Sequence, residues 1–473
     1  MTRLTWLAAL TPILVATTAA AQPKLPAPTV AAPPPDLVTA PPDDFDKQLD
    51  ELFSHGGLTS DQAAKRAGAV SPDVQRKVAE IDASIAEAEQ IELQRVPQVI
   101  GKGSYTRLSY IAPVVIPFGG QNFTIPFLQN NYLLEGSINV PLSDYLLRYP
   151  KLVKAARLGT EAARVARRQS EISAGEDARL AYYEWVRSRL QVLVAKRQLA
   201  QVQTTLAQMR ALAEVQRLSR ADLMRFESQE AESEQTVDQL ENITDLREEQ
   251  LRILIGADAN EQLSVGEDIR QDLTAPSLQR LEDALQIAKQ QRLDFRSLDV
   301  GIEAKDKQSE AELSNQLPRL SAFGVIDYAD PNQRIFPQED AFKFTWSAGV
   351  QLQWTLSDTL TSRETQKRLD AETRELVADR ANLERGTKIE LLQAQQAVSL
   401  ALHDLQTTKK GLDSAAESYR VRQELLANDR ATAVELVDAE TDLTRARIAA
   451  LNARVDLRVA VTQLAHALGN DTK

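Results

Sequence analysis

Residues 342–358 read FKFTWSAGVQLQWTLSD, and within them the chain changes its period. Phe342, Phe344, Trp346, Ala348, Val350, Leu352, Trp354 and Leu356 alternate with Lys343, Thr345, Ser347, Gly349, Gln351, Gln353 and Thr355. A period of two predicts a β-strand with one apolar and one polar face. After Asp358 no proline occurs up to residue 473, and Ala, Leu, Glu, Gln and Arg dominate. Proline costs a helix interior about 3 kcal/mol, so this tract predicts long helices. The strand has two readings: half of a sheet in a soluble domain, or a membrane-crossing β-strand. Its length reaches the roughly 9–11 residues that a transmembrane strand needs. Two of the three tryptophans beyond residue 21 lie on its apolar face, as an interfacial belt requires.

Working outward, the first half of the chain repeats the plan. Tyr132, Leu134, Gly136, Ile138, Val140 and Leu142 alternate with Glu135, Ser137 and Asn139, and partner strands are expected near Val99–Ile111 and Leu320–Tyr328. On the membrane reading Phe344, Trp346, Trp354 and Tyr132 face lipid, and Gln351, Gln353, Lys343 and Glu135 face a lumen. The motif RADLMRFESQEA at Arg220 lines up with AVELVDAETDLT at Ala433, and ILIGAD at Ile253 with HALGND at His466, both 213 residues apart. VPLSD at Val140 matches WTLSD at Trp354 at 214, and Pro97 matches Pro318 at 221. The extra residues of the first half fall in the proline and glycine loop IAPVVIPFGGQNFTIPF. Residues 151–275 also lack proline, so a helix is expected from near Asp144 to near Gln216, about 110 Å long at 1.5 Å per residue. The chain is therefore read as internally duplicated, each half a helix, a strand pair and a long helical hairpin.

Composition bounds the remaining choices. By length alone 473 residues suggest about three globular domains, an estimate that long hairpins replace. The absence of cysteine excludes disulfides and thiolate chemistry, and His55, His403 and His466 have no metal-ligand spacing. No metal or other cofactor is expected, and no enzyme: there is no phosphate loop and no nucleophile with a base. A net charge of −12 argues against a nucleic-acid partner. Residues 1–21 read as a signal peptide, with Arg3, the apolar run Leu7–Val15 and Ala19-Ala20-Ala21. Residues 22–56 read as a proline-rich spacer.

Four strands cannot close a barrel in lipid, where every backbone group needs a partner. Three chains supply twelve strands, wide enough for a polar lumen, so a homotrimer in outer-membrane lipid is expected. The fold class is mainly α with a membrane β-barrel portion. Long helical hairpins form a periplasmic tunnel, and four strands per chain complete a twelve-stranded trimeric barrel. The expected boundaries are a first repeat over 57–256 (strand pair 98–142, hairpin 144–255 turning near 216–221) and an equatorial linker over 257–278. A second repeat covers 279–473 (strand pair 318–356, hairpin 358–468 turning near 428–434).

The segments LEDALQIAKQQRLDFRSLDVGIEAKDKQSEAELSNQLPRLSAFG from Leu281, SAGVQLQWTLSD from Ser347 and ATAVELVDAETDL from Ala431 resemble the TolC-like outer-membrane efflux proteins. The resemblance covers nearly all of 58–471. It implies an outer-membrane exit duct of a tripartite efflux or type I secretion system in a Gram-negative cell. The implied partners are a periplasmic adaptor (membrane fusion) protein and an inner-membrane pump of RND or ABC type. It also implies a periplasmic constriction at Glu435 and Asp438, with Asp222 the matching acid of the first hairpin. The family's Gly-Leu pair at the hairpin turns, where the adaptor docks, is replaced here by Gln216-Arg217 and Asp429-Arg430. The alternative reading is a periplasmic coiled-coil adaptor without a pore, which needs one hairpin and no repeated strand pair.

Overall fold

The structure, a computed structural model, describes residues 45–472 apart from positions 126, 217, 218, 272, 274, 275 and 429. The expected signal peptide and residues 22–44 lie outside the described residues. In chain order the elements are α1 (Phe45–Leu52), β1 (Phe53–Leu58), α2 (Ser60–Val70), α3 (Pro72–Leu93), β2 (Gln98–Arg107), β3 (Val114–Phe118), β4 (Gln121–Ile125) and β5 (Asn130–Val140). They continue with α4 (Leu142–Leu147), α5 (Tyr149–Glu214), α6 (Arg220–Ile255), α7 (Leu281–Gln291), α8 (Leu293–Leu313), β6 (Arg319–Asp330), β7 (Lys343–Gln353), α9 (Leu356–Ala427) and α10 (Ala433–Leu468).

The duplication is visible element by element. Helices α6 and α10 both have 36 residues and both end on a left-handed glycine, Gly256 at φ 60° and Gly469 at φ 75°. A Cβ at Gly469 would stand 3.0 Å from the backbone nitrogen of Arg292, so the glycine serves both the cap and the packing. Short helix α2 packs on α5, as α7 packs on α9. Around α2 the core gathers Ala63, Ala67, Tyr182, Trp185, Leu251 and Ile255. Around α7 it gathers Ala284, Ala288, Leu391, Val398, Leu457 and Leu464. One four-stranded antiparallel sheet, ordered β2-β5-β6-β7, stands where the long helices α5 and α9 begin, and the two cores lie midway along those helices. Pairing of β5 with β6 joins the two repeats, from Tyr132 opposite Asp330 to Val140 opposite Ala322.

Three expectations need correction. Residues 45–56, expected to be spacer, are folded: Leu49 and Phe53 are buried in the first core, and Leu58 donates its N–H to Ser264 and accepts from Gly266, each at 2.8 Å. The proline and glycine loop contains a hairpin, β3 with β4, turned by Gly119 and Gly120 at φ 61° and 86°. Such angles suit a two-residue hairpin turn, and only glycine adopts both without strain. Finally, the helix expected from Asp144 is broken at Arg148 (φ −101°, ψ −56°), just ahead of Pro150 in the first turn of α5. Helix α9, with no proline, runs unbroken for 72 residues, about 108 Å.

Candidate functional site

Strand register sorts the sheet into two faces. One face carries Val99, Gly101, Gly103 and Tyr105 of β2, then Tyr132, Leu134, Gly136 and Ile138 of β5. It continues through Leu320, Ala322, Gly324, Ile326 and Tyr328 of β6 to Phe344, Trp346, Ala348, Val350 and Leu352 of β7. This apolar face is the exposed one: Val99 is 76% exposed, Val350 71% and Trp346 67%. The expected lipid-facing residues Phe344, Trp346 and Tyr132 all lie on it. Trp354 follows β7, exposed, with its indole N–H donating to Thr359 at 3.2 Å. At the far end of the strands Tyr105, Tyr132, Phe342 and Tyr328 form a chain of ring contacts with centroids 4.9, 6.1 and 5.0 Å apart.

The opposite face carries the polar set. Glu135, Lys343, Gln351 and Gln353 are on it, as expected, and register adds Lys102 and Asp327 on either side of Glu135. Lys343 reaches Glu339 at 3.0 Å. A sheet in a soluble domain hides its apolar face and wets its polar one; here the apolar face is bare, while Lys102, Gln351 and Gln353 on the other face are exposed as well. The outer edges of β2 and β7 have no partner among the described residues.

At the other end of the molecule lie the two hairpin tips. Gln216 closes α5 with φ 58°, the one positive φ among described non-glycine residues. Arg217 and Asp429 lie outside the described residues, whereas Arg430 is exposed and donates its N–H to Leu425 O at 2.8 Å. Ser219 caps α6: its Oγ accepts from the Asp222 N–H at 3.1 Å and donates to the Asp222 carboxylate at 2.6 Å. Thr432 caps α10 with a full capping box, Glu435 N–H to Thr432 Oγ1 at 3.3 Å and Thr432 N–H to Glu435 Oε2 at 2.9 Å. Arg422 of α9 adds an ion pair to Glu435 at 3.0 Å. The Thr432 N–H first, and then Arg422, hold the Glu435 carboxyl below its ordinary value. Asp222 and Glu435 are therefore equivalent cap residues of the two repeats, while Asp438, one turn further along α10, is exposed. Leu206, Met209 and Phe226 are buried beneath the tips, with Leu426 and Val437 of the second hairpin against them.

Between the hairpins polar contacts recur along α5. Arg187 meets Asp456 at 2.6 Å, Gln191 meets Asn452 at 3.1 Å, and Gln201 donates to the Tyr419 hydroxyl at 2.7 Å. The sequence reading missed Glu440, 6% exposed, whose Oε1 has no hydrogen-bond partner among the described residues. Its position was readable, because Leu436, Glu440 and Leu443 fall at i, i+4 and i+7 on the buried seam of α10. His466 lies at the base of α10 between Asp471 at 2.6 Å and Glu176 of α5 at 3.0 Å. Burial opposes the charged ring, but the hydrogen bond to Asp471 and the charge of Glu176 outweigh it and raise its pKa. Among the described residues no helix is long and apolar enough to cross a membrane.

No family model matches the chain, and no curated protein matches it. Solved structures do. The channel-forming protein CusC aligns with a TM-score of 0.72 at 15% identity, covering 88% of this chain and 93% of its own. The MtrE outer-membrane channel of Neisseria gonorrhoeae, solved in its open state, gives 0.70 at 14%, with 95% and 98% covered. The outer-membrane protein VceC of Vibrio cholerae gives 0.68 at 15%, with 89% and 96% covered. The chain has the fold of these outer-membrane proteins over nearly its whole length.

Proposed function

We propose that the chain is an outer-membrane efflux channel of the TolC-like kind, a homotrimer in a Gram-negative cell that passes substrates outward from a periplasmic adaptor and an inner-membrane pump. The observation that carries this reading is the bare apolar face of a sheet mounted on helices about 100 Å long. Phe344 and Trp354 are ten positions apart, about 33 Å along a strand, which at a tilt of about 40° covers about 25 Å of membrane. Aromatic rings at both ends of that span suit the two lipid–water interfaces. The edges of β2 and β7, unpaired in one chain, pair between chains, and twelve strands enclose a lumen lined by Gln351, Gln353, Lys343 and Glu135.

The repeats over 57–256 and 279–473, joined by the linker 257–278, then supply one hairpin each to a periplasmic tunnel. Asp438 lines its mouth. Glu435 and Asp222 stand beside it as caps, and the turns at Gln216-Arg217 and Asp429-Arg430 meet the adaptor. Fractionation and planar-bilayer recording test the reading together. Heat-sensitive oligomers in outer membranes that conduct ions are expected, with Asp438→Asn lowering cation preference. A soluble periplasmic monomer without conductance overturns the channel, and an unchanged reversal potential in Asp438→Asn removes the constriction.

A further inference from the structure

The apolar face of the sheet is not even. Gly101 and Gly103 are successive residues of β2 on that face, and Gly136 of β5 stands directly opposite Gly101. Glycine inside a strand weakens it, and often marks a place where something else approaches the backbone closely. Packing within the chain explains Gly136, because a Cβ there would come within 3.0 Å of the Ile326 side chain. It does not explain Gly101, where an added Cβ would meet nothing within 4 Å. Together the three glycines floor an open depression of about 420 Å³ walled by Leu134, Ile326 and Tyr328, a size within the roughly 300–1,000 Å³ of ligand pockets. Further from the helices the same two strands change character. Tyr105 and Tyr132 come first, with ring centroids 4.9 Å apart, and then Arg107 opposite Asn130. The Asn130 side-chain oxygen accepts from the Tyr105 hydroxyl at 3.1 Å and from the Arg107 guanidinium at 3.5 Å. Arg107 is exposed and pairs with no carboxylate among the described residues. Asp330, on the same face, lies opposite Tyr132 on β6, two strands away from β2.

We propose that this side of β2 and β5 seats an anionic lipid of the outer leaflet, a phosphorylated and multiply acylated glycolipid such as lipid A, with a phosphate on Arg107 and an acyl chain in the glycine depression. The inference rests on the outer-membrane channel reading and adds a specific ligand to its lipid-facing surface. On that reading the end of the strands remote from the helices is the outer one. Gly103 and Gly101 come four and six residues before Arg107. At about 3.3 Å per residue and a tilt of about 40° they sit about 10–15 Å deeper than the guanidinium. An outer-leaflet lipid holds its phosphate at the surface and its chains at that depth. A guanidinium takes a phosphate through two parallel hydrogen bonds, and a zwitterionic headgroup, whose phosphate already carries its own cation, competes poorly for it.

The test uses the full-length oligomer in detergent micelles, with diphosphorylated lipid A titrated in and bound lipid counted by native mass spectrometry. Saturable uptake of up to one lipid per chain is expected, with phosphatidylcholine bound far more weakly. Arg107→Gln is expected to weaken lipid A about five-fold, the usual effect of one interfacial cation. Gly101→Leu, which fills the depression, is expected to weaken it about ten-fold, as the loss of about two buried methylenes does. Lys102→Gln removes a neighbouring charge from the opposite face and is expected to bind as the wild type does. Heat-sensitive, conducting oligomers are expected from all three, so that a lost lipid is not a lost fold. Lipid A stripped of its phosphates makes the comparison on the wild type, without any substitution, and is expected to bind at least five-fold more weakly. Equal uptake of lipid A, its dephosphorylated form and phosphatidylcholine overturns the seat and leaves the channel reading standing. So does a loss in Arg107→Gln that Gly101→Leu does not share, which would make the site a surface phosphate contact. A wild-type chain that neither associates nor conducts overturns the channel reading and the seat with it.

Discussion

Glu440 places a carboxyl among the side chains of α5, α6 and α10, with Val202, Thr205, Phe226 and Val437 around it. Burial pushes its pKa from an ordinary 4.5 up to about 7, with Arg447 opposing. The sign follows from linkage. The folded chain binds this proton more tightly than the unfolded chain, so the stability is fully present below about pH 4.5 and is lost as pH rises through about 7. A shift of this size corresponds to about 3 kcal/mol. Protection of the buried amides of the tips, measured at pH 5 and pH 8 as exchange relative to a free amide at the same pH, is expected to fall at the higher pH in the wild type. Glu440→Gln is expected to flatten that dependence, and an identical pH dependence in both proteins would refute the assignment. At this scale the sequence was partly legible. Glu435 and Asp222 stood out through the motif they share, but their use as helix caps depends on where α6 and α10 begin, which Thr432 and Ser219 decide. The partner of Glu435, Arg422, comes from the other arm of the hairpin, and periodicity along a single helix does not bring the two together.

Among the elements, the α5–α6 turn departs most from local preference. A left-handed conformation at a residue with a Cβ costs roughly 1–2 kcal/mol, and Gln216 adopts one where glycine is the usual choice. Gln216→Gly is expected to stabilise the tip by about 1 kcal/mol, slowing amide exchange in the last turns of α5 about five-fold; faster exchange would show that the Gln216 side chain contributes more than its backbone costs. The long helices were legible because proline marks their limits so plainly, and the strands β5 and β7 because their alternation is strict. The hairpin β3–β4 was not read, although Gly119-Gly120 directly after the apolar run ending at Phe118 is a turn signal. Prolines crowd the segment in the sequence, yet Pro117 falls within β3, and a strand with a free edge tolerates it. The folding of residues 45–56 was hidden for another reason: β1 is held by Val265, more than 200 residues away, through backbone contacts that no local pattern encodes.

For the molecule as a whole, the decisive property is that the apolar face of one sheet is bare. Val350→Lys would put a charge on the apolar side at mid-strand and is expected to cost about 2–4 kcal/mol in a membrane, with loss of the heat-sensitive oligomer from outer-membrane fractions. Its neighbour Gln351→Lys, on the polar side, is expected to assemble normally; equal damage from both would contradict the assignment of the faces. Alternation in the sequence identified the two faces but not that the apolar one is left bare, because that depends on the sheet's surroundings. A length that first suggested three globular domains is instead divided between two copies of one unit.

The equal length of α6 and α10 has a geometric consequence. Both helices run the same number of turns between their tip and a left-handed glycine, so the two tips of a chain finish level with each other. In the proposed trimer six ends would share one plane, a flat annulus on which an end-on visitor meets the same contour every sixth of a rotation.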